Sequence, residues 1–217
     1  MQEDTNTMAA DPFRPGPALR AALLALPLLG ACTTIPDQPA NGWASLPSDA
    51  VVGAGDPVRA AILNTAYVFP NPGSVAGKPD MAARAVANYE FLTTEIPYGP
   101  RWRGFNPTVG VELLAGQQEV AQAFGIAPNA PTQQVVDALY AASRALRAGD
   151  QAAAERVLSG PAFTRGGAAT LQTLASMPSM PRAAAAAALT AQELDRNDRL
   201  GSPRGVGGDG GGGGGYR

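Results

Sequence analysis

Between residues 56 and 200 the apolar residues recur at steps of three and four, and no stretch sustains an alternation in twos. A period near 3.6 marks helices with one buried face, whereas a half-buried strand needs a period of two. The fold class expected is therefore all-α. The helix starts are marked too. Asp56-Pro57 offers an N-cap with proline at the first helical position, opening a helix to about Phe69. Pro79-Asp80 opens a second, with Ala82, Ala85, Tyr89, Leu92 and Ile96 on one stripe. Asn106-Pro107 opens a third, with Val109, Leu113, Gly116, Val120 and Phe124 inward and Gly125 placed to stop it. A fourth is expected over residues 132–148, with Val135, Leu139, Ala142 and Leu146 on its face. Gly149-Asp150 ends that helix and caps a fifth, which runs to Leu158. Segments 168–177 and 182–200 complete an irregular small bundle of six or seven helices over residues 56–200.

Alanine has the highest helix propensity and a side chain small enough for helices to approach closely. Residues 138–158, two Ala-rich helices joined at Arg147-Ala148-Gly149-Asp150, resemble one helix-turn-helix unit of the tetratricopeptide type. No second copy follows at a fixed spacing, and a solenoid needs about three. The irregular bundle is the expectation.

Composition removes several chemistries. The chain has no histidine and one cysteine. Ser-His-Asp and Cys-His catalysis, His-ligated zinc and an intramolecular disulfide are all excluded. Lys78 is the one lysine, so a lysine nucleophile has a single candidate. Net charge is −2 and the sequence pI about 5.1, the opposite of the basic footprint of a nucleic-acid binder. No cofactor or metal site is expected. Gly73-Ser74-Val75-Ala76-Gly77-Lys78 has three residues between its glycines where a phosphate loop has four. Pro79 also stands where the magnesium-binding hydroxyl belongs, so the segment reads as a connector.

Upstream, residues 21–29 form a nine-residue apolar run preceded by Arg14 and Arg20 and followed by Gly30-Ala31-Cys32. That run is too short to cross a bilayer, which needs about 20 apolar residues, and it has the layout of a secretory signal. A start at Met8 would remove Glu3 and Asp4 from its basic side. Leu29-Gly30-Ala31-Cys32 resembles the lipobox of bacterial lipoproteins. The resemblance covers residues 1–32. It implies a signal peptide over 1–31, cleavage between Ala31 and Cys32, and a diacylglycerol on the Cys32 thiol, with the freed amine acylated by a chain such as palmitate. Membrane partnership through that anchor and a periplasm-facing place in the cell envelope follow from the same resemblance. Thr33, in place of an aspartate, favours the outer membrane over the inner.

Residues 32–55 are expected to combine the lipidated cysteine with a flexible tether rich in Pro, Ala, Gly, Ser and Asp, with Trp43 packing back on the domain. Residues 201–217 are dominated by glycine, which loses the most backbone entropy on ordering, and are expected to be a disordered tail.

Two clusters are candidates for function. Between helices two and three, Tyr98, Arg101, Trp102, Arg103 and Phe105 concentrate aromatic rings and guanidinium groups within eight residues. Such residues make cation–π contacts and binding hot spots, for an envelope protein or glycan partner, and they also plug the ends of bundles. Glu90 and Glu95 on helix two and Glu112 and Glu119 on helix three are the carboxylates available for acid/base chemistry. The function expected is a non-catalytic binding or scaffolding module on a lipid anchor. The alternatives are an envelope hydrolase using those carboxylates and a subunit of a helical assembly.

Overall fold

The computed structural model describes residues 38–51 and 55–201; the expected signal peptide, Cys32 and the Gly-rich tail lie outside them. Seven helices account for the fold of the described residues: α1 (Pro57–Val68), α2 (Pro79–Tyr98), α3 (Pro107–Phe124), α4 (Thr132–Arg147), α5 (Gln151–Leu158), α6 (Gly167–Ala175) and α7 (Pro181–Gly201). Two 3-10 turns, Pro72–Val75 and Pro100–Trp102, flank α2. No strand forms among the described residues; Ile126 and Phe163 make one isolated bridge. The all-α expectation holds.

The local start signals act as read. Asp56 Oδ1 accepts the Val58 and Arg59 N–H groups, at 3.0 and 3.4 Å. Asn106 Oδ1 accepts from Thr108 N–H, and Asp150 Oδ1 from Ala153 N–H. Gly125 ends α3 at φ 68°, a left-handed conformation that costs a side chain 1–2 kcal/mol or so. Two caps are not local. Ser159 Oγ accepts the Gly167 N–H at the start of α6, at 3.1 Å. Glu119 on α3 accepts the Arg182 and Ala183 N–H groups of the first turn of α7, at 2.9 Å each.

Helix α2 is the axis of the bundle, with α1, α3, α4 and α6 packed around it. The sequence suggested a single apolar stripe, yet every residue from 85 to 94 is buried. The extra faces can be buried because their side chains are small or internally satisfied. Ala83, Val86 and Ala87 leave room for neighbours, and the Thr93 and Thr94 hydroxyls donate to the Glu90 and Phe91 carbonyls of their own helix. Asn88 donates to Asn64 Oδ1 of α1 and accepts from the Tyr140 hydroxyl of α4.

The expected tether is docked over residues 38–51. Asn41 O accepts from Thr132 N–H, Gln133 Oε1 accepts from Ser45 N–H, and the Asp49 carboxylate takes two hydrogen bonds from Arg144. Leu46 and Ala50 pack on the core. Polar side chains of α4 thus bind the backbone of this strap, which composition alone could not indicate. Trp43 meets the edge of Tyr98 at 6.2 Å but stays 49% exposed, so it packs back only in part.

Gly116 sets the approach of α3 to α7. A Cβ there would lie 2.1 Å from the Tyr89 hydroxyl and 2.8 Å from Ala183 Cα. Gly116→Ala gains about 1 kcal/mol of helix propensity and still overpacks a backbone contact, which costs about 1–3 kcal/mol. The net result expected is a lower denaturant midpoint. In the Tyr89→Phe background the loss shrinks and does not vanish, because Ala183 remains in the way.

Candidate functional site

The four candidate carboxylates have four different surroundings. Glu95 Oε1 accepts from the Trp102 indole N–H at 2.8 Å. Glu112 lies 3.7 Å from the Arg182 guanidinium at the surface. Glu119 caps α7. Glu90 is 2% exposed, with Oε2 accepting from the Gln117 side-chain amide at 2.7 Å and Oε1 buried with no partner. The two helices therefore do not assemble a set of carboxylates; they bury one.

Glu90 contributes from α2 to the lining of a pocket of about 520 Å³. Helix α3 supplies one wall through Gln117, Gln118, Ala121 and Gln122, and α4 another through Thr132 and Val135. The turn after α3 adds Ile126, Ala127 and Ala130; the docked strap adds Asn41, and the connection between α5 and α6 adds Thr164 and Arg165. Much of this wall is already pinned. Arg165 donates to the Ala123 and Gln122 carbonyls at the end of α3, at 2.8 and 2.6 Å. Thr164 donates to the Gly125 carbonyl through both its N–H and its hydroxyl, and Asn41 Nδ2 donates to the Pro128 carbonyl. These bonds hold that side of the pocket together from within the protein.

Burial pushes the Glu90 carboxyl up to about 7 from an ordinary 4.5, against the lowering effect of the Gln117 hydrogen bond. The folded chain thus keeps a proton that the unfolded chain releases between about pH 4.5 and 7. Stability from this group is present at low pH and falls as pH rises through about 7, by roughly 3 kcal/mol in all. Glu90→Gln removes the titration. Between pH 5 and 8 the wild type should lose stability relative to that variant, by up to about 3 kcal/mol in chemical denaturation. Parallel pH profiles would show that Glu90 is solvated.

The aromatic and arginine loop turns its large rings inward. Trp102 and Phe105 are 5% and 6% exposed and meet edge to face at 4.9 Å. Arg101 stacks over the Trp102 ring at 4.6 Å and pairs with Asp56, while Arg103 is exposed. Tyr98, at the end of α2, meets Trp43. The loop closes one end of the bundle, and what it presents to solvent is guanidinium rather than ring. Gly73–Lys78 is a connector, with Gly77 N–H donating to the Ala175 carbonyl at the end of α6.

No group of three or more Cys, Asp or Glu side chains able to hold a metal ion occurs among the described residues. Compared with protein families, curated proteins and solved structures, the chain matches none.

Proposed function

We propose that this chain is a lipid-anchored envelope protein, held through Cys32 with its helical domain facing the periplasm from the outer membrane. We further propose that the domain binds a small ligand in the pocket over Glu90 without transforming it. The observation that carries the binding reading is that Glu90, a buried carboxylate whose Oε1 has no hydrogen-bond partner, belongs to the lining of a walled pocket. A buried polar atom without a partner costs about 1–3 kcal/mol, and a ligand that supplies the partner recovers it. Carboxylate-pair hydrolysis needs two such groups about 5–10 Å apart across the substrate. Glu90 is the one carboxylate on this wall, which favours binding over that chemistry.

The anchor reading rests on the lipobox-like residues 29–32. No helix among the described residues is long and apolar enough to cross a membrane. The strap is docked from Asn41, and nine peptide steps lead from Cys32 to it, at most about 32 Å of extended chain.

The binding reading is tested by thermal shift of the full chain against small cationic, neutral and anionic compounds. A ligand at a hundredfold excess over its Kd stabilises by about 2.7 kcal/mol. Ala121→Trp fills the pocket from its half-buried wall and should abolish every such response. If no compound shifts the wild type, or if the shifts persist in Ala121→Trp, the pocket is not the ligand site.

A further inference from the structure

We propose that the pocket over Glu90 takes its ligand through a protonated amine, with the ammonium group seated against the free oxygen Oε1. This rests on the reading of the pocket as a ligand site and names the chemical class it selects.

The argument is one of charge and donors. Gln117 is neutral, so it gives Glu90 one hydrogen bond and no compensating charge. Buried carboxylates are stable as anions only when paired and hydrogen-bonded. Among the described residues none hydrogen-bonds Oε1. Both terminal nitrogens of Arg165 are engaged by the end of α3, Asn41 Nδ2 by Pro128, and the Thr164 hydroxyl by Gly125. A neutral alcohol would fill the vacant acceptor and leave the charge unpaired. An anion would face Glu90 directly. An ammonium group supplies donor and charge together. The lining also includes Ala121, Ile126, Ala130 and Val135, which give an apolar group carried behind the ammonium a surface to lie on beside the polar side chains.

The titratable surroundings fix the expected pH dependence. Helix α3 brings Gln117, Gln118 and Gln122 to the pocket, and α4 brings Thr132 and Val135, none of which titrates. Glu112 and Glu119 of α3 engage the first turn of α7. Tyr89, beside Glu90 on α2, has its phenol pushed up by burial and keeps its proton. Arg165 is the one charged side chain on the described wall besides Glu90, and its guanidinium is bonded to the end of α3. Binding of an ammonium ion therefore competes with a proton on Glu90 alone, since an alkyl amine, like a lysine side chain, keeps its own proton to about pH 10.

The experiment is isothermal titration calorimetry of the full chain with three probes of one body: phenethylamine, 2-phenylethanol and phenylacetate. The amine should bind about 10–100-fold more tightly than the alcohol, as a charge-assisted hydrogen bond does over a neutral one, and the acid should not bind. Affinity for the amine should rise from pH 5.5 to 8, with protons released on binding. Glu90→Gln should bring amine and alcohol level. If the alcohol or the acid binds as well as the amine, or if amine affinity falls with rising pH, the ammonium assignment is overturned. When Ala121→Trp still removes that binding, the pocket survives as a ligand site and only its class was misjudged. If none of the three binds, the ammonium assignment also fails, and the wider thermal-shift panel decides the pocket separately.

Discussion

Replacing Trp102 with alanine should cost about 3–5 kcal/mol, the range for deleting a buried large aromatic side chain. For a chain of this length that corresponds to a fall in melting temperature of about 6–20 °C. The ring is 5% exposed, meets Phe105 edge to face, and carries Arg101 on its face. Truncation removes those contacts and leaves Glu95 Oε1 without its indole donor. Trp102→Phe keeps most of the volume and loses the N–H, so it should cost about 1–1.5 kcal/mol, a typical single hydrogen bond. Arg103→Ala, at an exposed position, should lie within about 0.5 kcal/mol of wild type. Pull-down from envelope extracts completes the test. A loop that serves the core loses stability with Trp102 and keeps its partners with Arg103→Ala. A Trp102→Ala chain that melts within about 3 °C of wild type, about 1 kcal/mol, would place the ring on the surface and restore the loop as a recognition element.

That contrast shows where the sequence is a good guide. Helix starts were legible because a cap is a contact within three residues: Asp56, Asn106 and Asp150 bind N–H groups of their own first turns. Helix ends were legible to within a few residues where glycine takes a left-handed conformation, as Gly125 does. The inward face of α3 followed from its one apolar stripe, whereas on α4 the stripe gave Val135, Leu139 and Ala142 but left Leu146 half-buried and missed a second buried row, Val136, Tyr140 and Ser143. Helix α2 is different because four neighbours surround it. A second row, Ala83, Val86, Glu90 and Thr93 or Thr94, runs beside the first at steps of three and four. A single carboxylate in the middle of a row otherwise small or apolar was the available signal for Glu90. It carried little weight alone, because whether that row meets water depends on α3 and α4 both closing on α2. The pocket walls were further out of reach. Asn41, Gln117 and Arg165 come from three segments far apart in the chain, and the strap that brings Asn41 has the composition of a free linker.

Replacing Cys32 with serine should move the protein from the membrane pellet to the soluble fraction, the largest change expected of any single substitution here. The apolar run at residues 21–29 cannot span a bilayer, so the proposed attachment depends on acyl chains. Each buried CH₂ contributes about 0.8 kcal/mol; one chain holds a protein only reversibly, whereas two or more give stable anchoring. Intact mass separates this anchor from adsorption. The wild-type chain should begin at residue 32 and carry the mass of a diacylglycerol and an acyl group, and Cys32→Ser should carry neither. High salt should leave the wild type in the pellet, because the attachment is apolar and electrostatic screening does not weaken it. A wild-type chain that begins upstream of residue 32, or that has no lipid mass, overturns the anchor. The pocket over Glu90 would stand regardless, since its walls are built from residues 41–165 and Cys32 supplies none of them.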